Sequence, residues 1–549
     1  MGVCVWLGWT FGFSPLFAAA PEVRGTWLTT TGPDHIASGN NTADTMNRLR
    51  SVGLNTVYVE AWKSGYTNFP SQTLASLTNG PDRSPLLGTT RDLLEETSLH
   101  AHRNSLITIG WFEYGFATQF VGAGGTPTNP ISNYMKNQGW LLQDVNGNYA
   151  NASNGFAWMN PAVPEVRQFL IDITLEAIAT HDLDGVQFDD RLAWPTEFGW
   201  DQTTKNIYFT ETGRTLTNNP NSHQLSLFNS WRQQKVQQFA DELYTAVKAF
   251  RPDIHVSVSP SIFPFSRDQY NADWPDWLNA GLFDEYVPQV YRSSVGSYLA
   301  EIPNQVSHFS PNNLDRMVVG LRSVGTGNPT PYNDLRWMIE DTRSRGVAGH
   351  SIWYSQGVLD LYETELTSFY DVAQDGHAFN PMFPADHRPD PLPGTFLGSA
   401  NWRFDVPESR GYRIVGRVTN GDWESLGSFV FEAGTVDLFL PGIVEAELIV
   451  DNRPGLTIQG DLDGDGFVGI TDLNIILSHW NSSVTAGDLT AGDATGDGFV
   501  GINDLNLILG KWNTGTPPSD SAYIPEPTSA ALILLGTLGT LTGRGRHRH

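Results

Sequence analysis

The chain has 549 residues, too many for one ordinary domain and enough for two to four. Hydrophobic residues make up 40% and charged residues 17%, which excludes a chain disordered throughout. With 33 Lys and Arg against 59 Asp and Glu, the formal net charge is −26, which argues against general nucleic-acid binding, and the single cysteine, Cys4, excludes a disulfide framework.

Residues 1–20 read as a signal peptide. The run from Val3 is largely apolar and ends in Ala18-Ala19-Ala20, which suits cleavage after Ala20 and export. The first cation is only at Arg24, so a buried N-terminal segment is the alternative. Cleavage would remove Cys4 and leave a mature chain without cysteine.

Residues 21–372 alternate short β-rich runs with amphipathic helical stretches. The expected strands are Val23–Thr29, Thr56–Trp62, Leu106–Glu113, Gly185–Asp190, His255–Ser259, Glu285–Arg292, Met317–Arg322 and Gly349–Tyr354. Eight strands with helices between them predict an α/β fold, a parallel (β/α)8 barrel. The helix before the fourth strand starts at Pro164 and carries one apolar stripe, Val166, Phe169, Leu170, Ile173 and Ile178. Pro288 conflicts with the sixth strand, because proline removes a ladder donor.

Chemistry in such barrels gathers at the C-terminal ends of the strands. Those ends carry carboxylates and aromatic rings: Trp27, Glu60, Trp62, Trp111, Glu113, Tyr114, Asp189, Asp190, Gln289, Tyr291, Arg292 and Trp353. Carboxylates supply acid and base, and aromatic faces stack on the C–H surfaces of a pyranose. No His/Cys/Glu spacing points to a catalytic metal, so no cofactor is expected for catalysis. No phosphate loop or nucleophile elbow is present. Asp189 and Glu113 are the expected catalytic pair, with Asp190 as a further catalytic candidate. Trp111 beside Glu113 would desolvate it and raise its affinity for a proton. The remaining residues of the set are the expected substrate contacts, although Trp27, Trp62 and Trp353 could equally be core, Glu60 a salt-bridge partner, and Arg292 and Arg322 partners of the acidic cluster. Asp184 reads as a turn cap, and Asp284 and Glu285 as structural residues at the start of their strand.

Several of these runs resemble the glycosyl-hydrolase-like 10 family over residues 21–370. The matching pieces are Val23-Arg-Gly-Thr-Trp27, Gly65-Tyr66 with Phe69-Pro-Ser71, Trp111-Phe-Glu-Tyr-Gly115, Asp184-Gly-Val-Gln-Phe-Asp-Asp190, Ser259-Pro260, and Asp284-Glu285 with Gln289-Val-Tyr-Arg292. The resemblance implies a β/α barrel acting on glycosidic bonds in a polysaccharide or peptidoglycan-type glycan. The Asp-Gly-x-x-x-Asp run is also similar to the nucleophile strand of alpha-amylase-type barrels, which places Asp189 as nucleophile; the fifth strand lacks that family's acid. A non-catalytic carbohydrate-binding or surface protein on the same scaffold is the alternative.

Residues 373–394 are rich in proline and read as a linker or packed extension. Residues 395–455 predict a small antiparallel β-sandwich, with Trp402, Tyr412 and Trp423 open between carbohydrate binding and packing.

Residues 458–514 contain two twelve-residue acidic loops, 32 residues apart, each running into an apolar helix. The expected ligands are Asp461, Asp463, Asp465, Phe467, Gly469 and Asp472, then Asp493, Thr495, Asp497, Phe499, Gly501 and Asp504. Phe467 and Phe499 would contribute carbonyl oxygens, and two Ca²⁺ ions are expected. The eight acidic residues from Asp461 to Asp504 meet no Lys or Arg. The pair resembles a type I dockerin, which implies a cohesin-type partner; Ile470-Thr471 and Ile502-Asn503 stand where dockerins present small polar contacts.

At residues 524–549, Ile524-Pro-Glu-Pro527 is followed by an apolar run from Ala530 to Leu541 and by Arg544, Arg546 and Arg548. This order resembles the PEP-CTERM sorting signal, which implies transient membrane association, an exosortase-type processing enzyme, and a location in the envelope or outside a Gram-negative-type cell.

Overall fold

A computed structural model describes residues 21–453, 456, 458–485, 488–495 and 498–515. The expected signal peptide, the PEP-CTERM-like tail and Asp497 lie outside the described residues. Among the described residues no helix is long and apolar enough to cross a membrane. The chain divides into two compact units near residue 454, with Phe429–Phe431 counted in the second.

The first unit is built on one parallel sheet. Its strands are Val23–Leu28, Thr56–Glu60, Ile107–Phe112, Gly185–Phe188, His255–Val258, Glu285–Tyr286, Gln289–Val290, Val318–Arg322 and Gly349–Trp353. They pair in chain order, and Gly349–Trp353 returns to pair with Val23–Leu28. Glu285–Tyr286 pairs with His255–Val258, and Gln289–Val290 with Val318–Arg322. These two short strands are one expected strand broken at Val287-Pro288, which explains nine strands where eight are read from sequence. The Gly320 N–H donates to the Pro288 carbonyl at 3.0 Å, so the ladder continues across the break. The curled sheet is consistent with a (β/α)8 barrel.

Both faces of the strands are covered, and every residue of Val23–Leu28, Thr56–Glu60 and Ile107–Phe112 is buried. Inside lie Val23, Trp27, Tyr58, Ile107, Ile109, Trp111, Val287 and Val318. Outside, Val57, Val59, Phe112, Val186, Phe188, Val319 and Ile352 meet the helices. Gly349 has φ +153°, and a Cβ there would sit 2.2 Å from the Val23 carbonyl oxygen, so glycine is needed for this strand approach. The helix Pro164–Thr180 begins with proline in its first turn and buries the predicted stripe.

The proline-rich segment is a packed extension of the barrel. Phe383 joins the inner cluster, and Asn380 donates to Thr56 Oγ1 at 3.0 Å. Arg388, buried, donates to Asp182 and Asp184 at 2.8–3.0 Å and to the Val450 carbonyl at 2.7 Å. His102 lies 3.2 Å from Asp182 and 3.1 Å from Asp184. Burial opposes ionisation of both carboxyls, but Arg388 and then His102 hold them well below the ordinary carboxylate range. Asp184 is therefore more than a local turn cap: it anchors strand, extension and sandwich together.

The sandwich consists of a four-stranded sheet over Leu392–Val450 and a three-stranded sheet over Thr395–Phe439. Trp402 and Tyr412 are buried in it, and the Trp423 ring is covered by Arg103 at 3.6 Å. Packing accounts for all three.

In the second unit the helices Ile470–Ser478 and Ile502–Gly510 follow the two acidic loops. Leu462, Val468, Ile476, Ala494, Val500 and Ile508 form its core.

Candidate active site

Glu113 and Asp189 follow directly on the third and fourth barrel strands, so the sheet delivers both to its C-terminal end. Arg191 joins them: its Nη1 lies 3.6 Å from Glu113, 3.9 Å from Asp189 and 3.4 Å from Asp190. The two expected catalytic carboxylates thus share one cation nitrogen, and their separation cannot exceed the sum of its two legs. Gly115 makes this approach, because a Cβ there would sit 2.4 Å from the Arg191 carbonyl.

A second cation reaches the cluster from the hairpin Trp62–Lys63 with Tyr66–Thr67. Lys63 Nζ lies 2.5 Å from Glu60 and 3.1 Å from Glu113, and donates to Thr29 Oγ1 at 2.8 Å. Glu60 is fully buried and accepts from Thr29 Oγ1 at 2.6 Å and the Thr30 N–H at 2.9 Å. It is a salt-bridge partner set behind the site. Burial opposes its ionisation, but Lys63 and a hydrogen bond from Glu113 hold its carboxyl below the ordinary value. Burial, then the charge of Glu60, pushes Glu113 up to about 7. Glu113 can therefore take up and release a proton near neutral pH.

Asp189 Oδ1 accepts from Gln289 Nε2 at 2.5 Å and from the Asp190 N–H at 2.6 Å. Burial, then the charges of Asp190 and Glu113, raises its carboxyl well above the ordinary value. Protonation of Glu113 removes one of those charges, while the two donors and Arg191 remain to favour an ionised Asp189. Asp190 is one-third exposed and lies 3.3 Å from Ser261 Oγ.

Trp27, Trp111, Tyr291 and Trp353 pack edge-to-face and tilted beneath and beside the carboxylates, with centroids 5.6–6.4 Å apart. Among the described residues, the buried Trp111 Nε1–H and Tyr291 hydroxyl have no hydrogen-bond partner. Tyr114 lies under Arg191 at 5.2 Å. Trp62 is not brought to the site. Its strand ends at Glu60, and its indole packs against Phe169 in the helix layer and donates to the Gly115 carbonyl at 3.1 Å. Arg292 turns away to Glu301 at 2.9 Å, and Arg322 holds the Thr326 and Asn328 carbonyls of its own loop. The cations of the site are Lys63 and Arg191. Lys63 is missed by the sequence reading; its only signal is a position three residues after Glu60.

Below this layer a buried network fixes the floor. Trp27 Nε1 donates to Gln187 at 2.8 Å, Gln187 to Ser257 at 2.9 Å, and Ser257 and Tyr58 to Glu285. Burial pushes the Glu285 carboxyl up to about 7. The folded state then binds a proton more tightly than the unfolded chain, so stability falls as pH rises from the ordinary carboxylate value through about 7. Glu285→Gln is expected to raise the melting temperature at pH 8 relative to the native chain and to change it little at pH 5. Equal shifts at both pH values would remove this account. The full pH-linked effect is about 3 kcal/mol at one 1.4 kcal/mol step per unit.

In the second unit, single oxygens of Asp461, Asp463 and Asp472 lie within 4.8 Å of one another. Asp461 accepts from the Gly464 and Gly466 N–H groups at 2.8 and 2.9 Å, and Asp472 from Leu462 and Gly469 at 2.6 and 2.7 Å. The second loop repeats this: Asp493 accepts from Gly498 at 2.8 Å, and Asp504 from Thr495 and Gly501 at 2.9 and 2.8 Å. Gly466 and Gly498 turn the two loops with φ +82° and +80°. Convergent carboxylates on hard-oxygen spacing fit a divalent cation.

Comparison with known proteins follows the barrel. Glycosyl hydrolase DigH of Escherichia coli K12 is 23% identical over 329 residues, covering 54% of this chain and 68% of that protein. Glycosyl hydrolase YngK of Bacillus subtilis is 22% identical over 272 residues, covering 45% and 48%. The PgaB (BpsB) glycoside hydrolase domain from Bordetella bronchiseptica aligns with a TM-score of 0.46 at 15% identity, over 65% of this chain and 99% of that domain. The family model for glycosyl hydrolase-like 10 matches residues 22–339, more than half the sequence, and the chain belongs to that family.

Proposed function

We propose that this protein hydrolyses glycosidic bonds in a polysaccharide or cell-wall glycan. Glu113 gives its proton to the leaving glycosidic oxygen, and the Asp189 carboxylate lies against the positive charge that develops at the anomeric carbon. Water adds to that carbon, and its proton returns to a carboxylate of the pair. Gln289 and Arg191 hold Asp189, Glu60 and Lys63 hold Glu113, and the unpartnered Trp111 and Tyr291 donors serve sugar oxygens. One observation carries this reading: the chain brings Glu113 and Asp189 onto a shared Arg191 nitrogen, with Glu113 pushed up to about 7. The test is reducing-end release from a panel of polysaccharides and peptidoglycan strands. Product from at least one member is expected. Measurable sugar binding with no release from any member would favour a carbohydrate-binding protein instead.

The acidic loops would hold two calcium ions, through Asp461, Asp463, Asp465 and Asp472 in the first loop and Asp493, Thr495, Asp497 and Asp504 in the second. Calcium at a hundredfold excess over Kd is expected to stabilise the second unit by about 2.7 kcal/mol for each ion bound, read as a calorimetric transition that moves down with EDTA and back on adding calcium. A transition insensitive to both would contradict the assignment. Export, PEP-CTERM processing by an exosortase-type enzyme, transient membrane association and a cohesin-type partner complete the proposal; they rest on the sequence.

A further inference from the structure

Five aromatic side chains form a continuous band over the loops at the C-terminal end of the barrel. Phe120 meets Phe156 with centroids 5.0 Å apart, Phe156 meets Trp158 at 6.4 Å, Trp158 meets Tyr270 at 6.5 Å, and Tyr270 meets Phe265 at 5.6 Å. Two loops supply them. One is the hairpin Ala117–Phe120 with Phe156–Trp158, after the third barrel strand. The other is the short helix Phe265–Tyr270, after the fifth. The band touches the site already described, because the Arg191 guanidinium lies 4.8 Å over the Phe156 ring.

Its two ends are open. Phe120 is 61% and Phe265 48% exposed, while Trp158 between them is buried. Phe120 lies close over the hairpin: a Cβ at Gly155 would come within 2.6 Å of its ring, so glycine there leaves room for it. An exposed ring offers a flat apolar face. Single exposed apolar residues are ordinary. Two at the ends of one ring band that reaches the carboxylate centre are not explained by core packing. The exposed area is also broken by half-buried rings, which suits a chain of stacking sugar units better than a broad protein interface.

We infer that Phe120 and Phe265 are outlying sugar platforms that make the site select an extended pyranose polymer over a short glycoside. The inference rests on the proposed glycosidase reading for its ligand class. The test measures binding of Glu113→Gln protein, whose turnover is strongly slowed, to peptidoglycan strands, chitin, cellulose and xylan, and to the trisaccharide of whichever polymer binds. Adding Phe120→Ala and Phe265→Ala together is expected to weaken polymer binding at least tenfold more than trisaccharide binding. Phe120→Tyr with Phe265→Tyr, which keeps both rings, is expected to restore it. Equal losses for both lengths, or no loss, would overturn the inference. So would turnover of a short glycoside by the native chain with no polymer bound, an outcome that leaves the glycosidase reading standing. Ring-dependent polymer binding with no hydrolysis by the native chain would do the opposite.

Discussion

Glu113→Gln is expected to lower hydrolysis of a natural glycan by roughly 10²–10⁴-fold, and Asp189→Asn by at least roughly 10²–10³-fold, with the fold intact. Each substitution removes one proton-carrying or charge-bearing group and keeps its shape. The glutamine could still reach Lys63 and Glu60, but its amide cannot release a proton to a leaving oxygen. The asparagine could still accept from Gln289 and the Asp190 N–H, but it carries no charge to set against an oxocarbenium ion. The partners also explain why the fold should tolerate both changes. Glu113, pushed up to about 7, is already partly neutral at that pH, so an amide there costs little. Asp189 is buried with raised proton affinity, and removing its charge relieves repulsion from Asp190. Thermal unfolding within a few degrees of the native chain, together with the rate loss, is the expected pair of results. Native rates in either variant would contradict the assignment.

Arg388→Met is expected to destabilise the first unit by about 3–5 kcal/mol. The methionine fills much of the volume but leaves Asp182 and Asp184, both fully buried, with His102 and His387 as their remaining side-chain partners. An uncompensated buried charge costs far more than the intact pair contributes, which is why the single change should be severe. Three pieces of the unit meet at Arg388: the fourth strand through Asp184, the extension that carries Arg388, and the sandwich through Val450. Adding Asp182→Asn and Asp184→Asn to Arg388→Met removes the stranded charges and should recover most of the loss. A cost below about 1 kcal/mol for Arg388→Met alone would show that the network is not what fixes the extension.

The barrel is readable from the amino-acid sequence because its strands are covered on both faces. Val23–Leu28 and Ile107–Phe112 are continuous buried runs, and their spacing between helical stretches carries the topology. Pro288 marks a real interruption, seen as a broken strand. Glu113 and Asp189 are readable as site residues because each lies one step beyond a strand end. The errors have one physical source, the path of the chain after a strand stops. Had the second strand run on through Trp62, period-two alternation would have put that ring beside Glu60. The hairpin instead turns Trp62 into the helix layer and sends Lys63 toward the carboxylates. Arg388 is a different case: it lies some 200 residues from the aspartates it holds, and no local pattern reveals such a pair. Its position in a proline-rich stretch also disguises it, since that composition reads equally as a linker.

The most direct test of the central claim compares leaving groups. Hydrolysis rates of native, Glu113→Gln and Asp189→Asn protein are measured on a natural glycan and on a dinitrophenyl glycoside of the same sugar, whose leaving group needs no proton. The account predicts that Glu113→Gln loses roughly 10²–10⁴-fold on the glycan but little on the activated glycoside, while Asp189→Asn loses on both. Equal losses for Glu113→Gln on the two substrates would contradict its role as the acid and with it the proposed mechanism.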